Sequence, residues 1–545
     1  MNRNSESHFA VNPTNIDIQR STFDRSTQLK TTFNTGELVP IFVDEVLPGD
    51  TFAMDTALAV RMSTPIHPVM DNLNLDLYYF FVPNRLVWDH WKEFNGENTT
   101  SAWEQETEYE IPQITAPEGG FAKGTIADFM GLPINVAGLS VNHLPFRAYV
   151  KIWNDWFRDQ NLQDPAYLNT DDTTIAGSNG DVYQTDAQKG GKCLPVNKYH
   201  DYFTSALPEP QKGPSVLLPL GESAPVTTGT EEHALTGNIL KFRNSSGNFP
   251  SATRNIAVDA SGRTLNTTGA ISGSADQFLH PSNLYAVLSQ ATAAEVDQLR
   301  QAFQVKRLFE KDARGGTRYI EIIKSHFGVT SPDSRQQRPE YLGGKRIPIV
   351  INQVLQTSST DETSPQGNTA AFSLTGDVSS SFTKSFTEHG YIIGLACIRT
   401  EHTYQQGIER MWNRKRRFDF YWPALANIGE QAILNKELYA TGGEEDEEVF
   451  GYQEAWAEYR YKPSRIAGAF RSTYAQPLDV WHYADYYDKQ PILSDEWIRE
   501  TKANVDRTLA VQSSLEDQFI ADFYFKNICT RPMPIYSIPG LIDHH

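Results

Sequence analysis

TFAMDTALAVRM, residues Thr51 to Met62, and LNLDLYYFF, residues Leu73 to Phe81, decide the fold of this 545-residue chain. In the first, Phe52, Met54, Leu58, Val60 and Met62 share one parity. In the second, Leu73, Leu75, Leu77, Tyr79 and Phe81 do. Side chains of an extended chain alternate between two faces, so each stretch predicts a β-strand with one face on a core. Pro48-Gly49-Asp50 supplies a turn before the first, and the prolines of Ser63 to Pro68 break the ladder between them. Tyr78 and Phe80 make the other parity apolar as well, which predicts a strand covered on both faces near its end.

Outward from this pair the chain reads as loops with a few helices. Residues 1 to 35 are polar, with Arg3, Arg20, Arg25 and Lys30 among Ser, Thr and Asn, and read as an arm. Asn84 caps an expected short helix bearing Leu86, Trp88, Trp91 and Phe94. A longer helix is predicted over Asn142 to Asn161 from the stripe Phe146, Tyr149, Val150, Trp153, Trp156 and Phe157, with Pro145 early in it. Thr292-Ala293-Ala294-Glu295 is a capping box opening a helix to about Ala313, and Tyr319 to Phe327 forms another that stops at Gly328. Ile347 to Leu355, Tyr391 to Arg399, Phe418 to Trp422 and Phe519 to Phe525 are further apolar runs of strand length. Between Gly221 and Pro281 the chain is rich in Ser, Thr, Gly and Asn. A polar stretch of that length predicts an insertion.

Composition narrows the function classes. With 30 Pro, 36 Gly and 12% aromatics the chain resembles a loop-rich β protein. A net charge of −19 argues against a surface that binds nucleic acid or anionic membrane throughout, and leaves room for a local basic patch. Cys193, Cys397 and Cys529 show no CxxC spacing, so neither a disulfide framework nor a zinc site is indicated, and a reducing compartment fits. The N-terminus carries no apolar segment, and the longest apolar run is too short to span a bilayer.

No HExxH, GxSxG, GxGxxG or GxxxxGK[ST] motif occurs, which lowers the expectation of an enzyme, and no metal or cofactor is expected. His544-His545 is two terminal histidines and no more. Glu444 to Glu448 lacks the spacing of a calcium loop and reads as a solvated acidic turn. The densest chemical signal is Arg410 to Trp422. There Arg410, Arg414, Lys415, Arg416 and Arg417 are interleaved with or followed by Trp412, Phe418, Phe420, Tyr421 and Trp422. Cations neutralise phosphates and flat rings stack unpaired bases, so this run is a candidate single-strand nucleic-acid contact. The same residues suit a charged surface strand or an ion-pair network between subunits. If the run is a strand, only alternate residues face the ligand.

The segments Leu308 to Tyr319, Ser334 to Gly344 and Arg531 to Leu541 closely resemble the major capsid protein of gokushoviruses, the small single-stranded DNA phages of the Microviridae. Asp76 to Arg85, Tyr199 to Gly213 and Arg410 to Pro423 fit the same pattern. The resemblance covers nearly the whole chain and lapses over Gly221 to Pro281. It implies a mainly β, eight-stranded antiparallel jelly roll with long loops and several short helices. It also implies assembly of 60 copies into a T=1 icosahedral shell around circular single-stranded DNA, in virions put together in the host bacterial cytoplasm. The partners it implies are an internal scaffolding protein, a DNA pilot protein, a small basic DNA-binding protein and a host-cell receptor.

On this reading residues 1–50 are an N-terminal arm and 51–220 the first part of the jelly roll. Residues 221–281 are an inserted loop forming a threefold protrusion, where three copies bury Ile239, Leu240 and Phe242 together. Residues 282–545 complete the roll and a C-terminal arm. Arg414, Lys415, Arg416 and Arg417, with Trp412, are expected to face the genome. Composition alone equally suits a β-rich carbohydrate-binding protein or a glycosidase with a carboxylate pair ~5 to 10 Å apart.

Overall fold

Strict alternation along a strand builds a sheet with one oily face, and that face must find another sheet. In the computed structural model the partners are found within the chain. The structure describes residues 19–98, 108–216, 296–355, 357 and 369–536, together with six short strands between 226 and 286. It divides into two compact units, one of Met1–Lys212 with Lys311–His545 and one of Gly213–Glu310.

The first unit is organised by nine strands: β1 (Ser21–Asp24), β2 (Thr27–Phe33), β3 (Val39–Val46), β4 (Thr51–Met62), β5 (Leu73–Pro83), β6 (Glu340–Pro348), β7 (Thr375–Ser385), β8 (Gly390–Thr400) and β9 (Phe519–Arg531). One antiparallel sheet runs β1-β9-β4-β7, with β2 following β1 along the same edge of β9; the other runs β6-β5-β8-β3. The chain closes on itself through β9, which lies along the whole of β4 from Phe519 opposite Met62 to Thr530 opposite Thr51. The expected mainly β architecture of antiparallel sheets joined by long loops is present. Its two sheets hold nine strands because the first edge is interrupted at Arg25 and Ser26.

All ten residues of the two expected parities are buried in one core between the sheets, with Ile392, Ile398, Phe519, Phe523 and Phe525 from β8 and β9. The other face of β5 and β8 is covered too. Phe80, Val82, Ile393, Leu395 and Cys397 pack in a second core under the 87–196 loops and the helix α1 (Leu144–Ile152). That helix carries the expected stripe: Phe146, Tyr149, Val150 and Trp153 are buried. Its last turn widens to a π-turn over Trp153–Phe157, and Arg158 is already extended. The helix therefore stops short of the expected end at Asn161.

Other expectations change. Asn84 begins only a 3₁₀ turn, Asn84–Leu86, without capping it, and Trp91–Phe94 is a separate helical turn starting after His90. Ser21 to Val46, read as part of an arm, forms three strands of the sheets, because Leu29 and Phe33 on one parity are enough to seat β2 on the core. The run Ile347 to Leu355 is two strands, since Pro348 ends β6 and Ile351–Leu355 pairs instead with Thr369–Ser373. The run Phe418 to Trp422 is not a strand at all, as described below. Helices α2 (Val296–Gly315) and α3 (Tyr319–Phe327) occur as expected, and α3 ends on Gly328 with a left-handed φ of 72°, a conformation glycine adopts without a Cβ clash. The capping box at Thr292 to Glu295, Ile239, Leu240 and His544-His545 lie outside the described residues.

In the second unit short antiparallel pairs are nested one inside the next: Val226–Thr228 with Leu284–Ala286, Phe242–Arg243 with His280–Pro281, and Ile256–Val258 with Leu265–Thr267. Among the described residues no helix is long and apolar enough to cross a membrane.

A buried polar knot ties the long C-terminal loops to the end of β8. His402 Nδ1 lies 3.0 Å from Asp485 and Nε2 2.9 Å from Glu500; Thr400 donates to Glu500 at 3.0 Å, and Lys198 stands 3.5 Å from Asp485. Burial disfavours an imidazolium here, but the two carboxylates outweigh it and push the His402 pKa up to about 10. Burial likewise acts to raise the Asp485 pKa, and His402 with Lys198 outweighs it, holding that carboxyl well below the usual range.

A candidate nucleic-acid interface

The basic and aromatic run hangs from the third apolar cluster of the first unit, which joins Tyr202, Phe203, Tyr404, Ile433 and Phe450. Its start is fixed by close backbone approach. A Cβ at Gly407 would strike the Glu437 carbonyl, and Ile408 N–H donates to Lys436 O at 2.9 Å. Arg410 then anchors the segment inward, donating to Ala432 O at 2.8 Å and lying 3.3 Å from Glu437.

Beyond Arg410 the backbone makes successive 3₁₀ turns, Arg410–Asn413, Arg417–Asp419 and Pro423–Leu425. Asp419 is the cause of the middle one. Its carboxylate accepts the backbone N–H groups of Lys415 and Arg416, each at 2.7 Å, which offers the chain a local alternative to a ladder. Those two bonds also hold its carboxyl below the ordinary value. The expected alternation of a strand is therefore absent, and side chains leave the segment in several directions.

Arg414 turns inward. Its side chain is 9% exposed, pairs with Glu458 at 3.0 Å, donates to the Tyr459 hydroxyl and sits 4.4 Å from the Tyr459 ring centroid. A guanidinium so engaged positions the segment and is not available to a phosphate. Lys415, Arg416 and Arg417 face outward, and among the described residues none of them makes an ion pair. Arg417 lies over the Trp422 ring at 4.6 Å. Trp412 and Phe418 are 69% and 68% exposed, large flat surfaces that a soluble monomer has no reason to present. The structure thus brings four of the five expected residues to one exposed segment, and turns the fifth, Arg414, inward beneath it.

Sequence reading missed the opposite wall. Trp412, Arg410 and Arg414 line a cleft of about 450 Å³ together with Tyr461, Lys462 and Arg465. Lys462 and Arg465 both pair with Glu409, at 3.5 and 2.9 Å. They lie some fifty residues further on, so no local pattern announces them. The acidic turn at Glu444–Glu447 is built around Asp446, which is buried and accepts from Thr441 Oγ1 at 2.8 Å and Gly442 N–H at 2.7 Å, leaving its neighbours exposed. Among the described residues no group of three or more His, Cys, Asp or Glu is placed to hold a metal ion.

Two antiparallel sheets over one core, long loops tied down by polar knots and an exposed cationic and aromatic segment define a jelly-roll subunit of the viral-capsid class. Comparison with known proteins gives the family. Residues 12–541 match the family described as capsid protein (F protein), and the chain belongs to it. It is 46% identical over 549 residues to capsid protein VP1 of Bdellovibrio phage phiMH2K, spanning 99% of this chain and 98% of that one. Capsid protein VP1 of Spiroplasma virus 4 is 47% identical over 93% of each chain, and that of Chlamydia phage 1 is 40% identical over 96% of each. All three come from gokushovirus-like Microviridae, so the resemblance read from the sequence holds. The chain is a structural capsid protein that self-assembles into a multimeric shell, and its place is the virion. The glycosidase reading gives way to this full-length likeness to structural proteins.

Proposed function

We propose that 60 copies of this chain close into a T=1 icosahedral shell around circular single-stranded DNA, with Lys415, Arg416, Arg417 and Trp412 facing the strand. The observation that carries the reading is the exposed segment Met411 to Trp422, which combines uncovered rings with Lys415, Arg416 and Arg417, three cations that make no ion pair among the described residues. A subunit with net charge −19 repels DNA at long range, so a genome contact needs local positive charge held clear of the acids. Arg414 acts through its neighbours, by fixing the turn against Glu458. The N-terminal residues before β1 serve as an arm that contacts neighbouring subunits. Assembly takes place in the host bacterial cytoplasm with an internal scaffolding protein, a DNA pilot protein and a small basic DNA-binding protein. The inserted segment 221–281 is the threefold protrusion that meets a host-cell receptor, a role suited to its place in a separate compact unit of short hairpins.

Replacing Lys415, Arg416 and Arg417 with Gln tests the genome contact. Particles should still form, and the logarithmic salt dependence of DNA retention should fall by roughly 0.7 for each phosphate no longer neutralised. An unchanged salt slope together with impaired assembly would assign the segment to contacts between subunits.

A further inference from the structure

A second cationic surface lies on the first unit, away from the Arg410 to Trp422 segment. A cleft of about 1030 Å³ opens over the outer face of β5, β6 and β8. Its walls are the segment 156–161 that follows α1, the loop 197–207, the segment 313–318 joining α2 to α3, and α3 itself. The cations along it are Arg158, Lys198, Arg314, Arg318, Lys324, Arg346 and Arg399, against Asp159 and Glu321 among the carboxylates lining it, and Lys198 is already paired with Asp485.

Ion pairing consumes part of that charge. Arg314 is shared by Glu430 and Glu454, and Arg318 is paired with Glu321 at 3.2 Å. Arg346 and Arg399 both bind the single carboxylate of Asp76, at 2.8 and 2.5 Å, so one positive charge is left over. Arg158 and Lys324 make no ion pair among the described residues. Arg158 donates one N–H to Gln163 O at 2.8 Å, while its buried Nε has no hydrogen-bond partner. Burial, first, and the nearby Arg318 charge depress the Arg158 pKa, and Asp159 and Asp155 offset only part of that. Two cations, Arg158 and Lys324, are therefore left without an ion-pair partner among the described residues around one concavity of a strongly acidic protein, with Asp159 the lining carboxylate nearest Arg158.

The cleft is also aromatic. Tyr341, 42% exposed, stands beside Trp156 with ring centroids 5.8 Å apart, and Tyr199 lies 4.1 Å from each of the Arg346 and Arg399 guanidinium groups. Unpaired cations alone suit any anion, including an acidic peptide. Planar rings interleaved with guanidinium planes add surfaces on which a base stacks. The volume exceeds what one small ligand fills, and suits more than one nucleotide.

We propose that this cleft binds nucleotide units of single-stranded DNA, phosphates against Arg158 and Lys324 and a base against Tyr341. The biological ligand rests on the reading that the shell encloses such DNA; the chemistry of the cleft does not depend on the Lys415 to Arg417 segment. The test uses purified, unassembled full-length chain, titrated with a single-stranded ten-nucleotide oligothymidylate, with deoxythymidine monophosphate, with inorganic phosphate and with a ten-residue glutamate peptide. The oligonucleotide should bind most tightly. Lys324→Gln, an exposed substitution that leaves the fold alone, should lower the logarithmic salt slope by roughly 0.7, and Arg158→Gln with it by roughly 1.4. Tyr341→Ala should weaken binding at least about fivefold. A bromodeoxyuridine oligonucleotide should cross-link to Tyr341 or Trp156 in the unaltered chain, which keeps the proposal testable if the Arg158 variant misfolds. The Lys415, Arg416 and Arg417 triple variant, titrated in parallel, should no longer hold the strand at its own segment and should retain the cleft cross-link. Preference for the glutamate peptide, phosphate bound as well as the oligonucleotide, or an unchanged slope without a cross-link would each overturn the proposal and leave the packaging role of the other segment standing.

Discussion

His402→Ala is expected to destabilise the subunit by about 3–5 kcal/mol, because it strands Asp485 and Glu500 in a buried site without their shared cation. The imidazolium is fully enclosed, and the knot it centres fixes the 485–504 loops to the end of β8. Denaturant unfolding of the full chain at neutral pH measures the loss, and a midpoint within experimental scatter of the unaltered protein would contradict it. The same knot has a pH signature. His402 titrates at about 10 in the folded chain against roughly 6.5 when unfolded, so its stabilisation is complete below about pH 6.5 and fades as pH rises through 10. Asp485, whose folded pKa is depressed, acts in the other direction: its contribution is present above the ordinary aspartate value and is lost as pH falls through the folded one. Stability of the unaltered chain should therefore decline on the alkaline side, and His402→Asn should remove that part of the decline.

Deleting Glu222 to His280 with a short linker is expected to leave shell formation intact and to reduce adsorption to host cells by roughly 10²- to 10⁴-fold. That magnitude is the avidity that vanishes when many weak protrusions are removed from one particle at once. The physical ground for tolerance is that 213–310 forms a compact unit of its own, with short hairpins nested between Val226–Thr228 and Leu284–Ala286, so its removal subtracts nothing from the core between the two sheets. Particle yield and adsorption rate are measured on the same preparation. Failure of the shortened subunit to fold would show that the segment belongs to the jelly roll, and unchanged adsorption would remove it from host attachment.

The parts legible in the sequence are those where one physical rule acts alone. Alternation along Thr51 to Phe81 survives because nearly every residue of one parity meets the inter-sheet core, and the doubled apolar character at Tyr78 and Phe80 correctly reports a second core beneath α1. β2 was hidden because polar Thr, Gln and Lys residues fill most of its length and only Leu29 and Phe33 reach inward. The cationic run was legible as composition, yet its geometry was not. Nothing between Arg410 and Trp422 announces that Glu458 and Tyr459 draw Arg414 inward, or that Asp419 curls the backbone into a turn. The cleft bounded by Arg158, Lys324 and Tyr341 is invisible in the sequence because tertiary folding alone brings together single residues from distant segments.

Cryo-electron microscopy of particles recovered from bacteria expressing the complete phage genome tests the central claim most directly. The account predicts closed icosahedral shells of 60 subunits, about 3.7 MDa of protein for a 61.4 kDa chain, with the β4 to β9 sandwich forming the wall and nuclease-protected single-stranded DNA within. Inside that wall, density should meet Lys415, Arg416 and Arg417. A chain that remains monomeric or grows into open sheets, or shells whose Met411 to Trp422 segment lies on the outer surface, would contradict it.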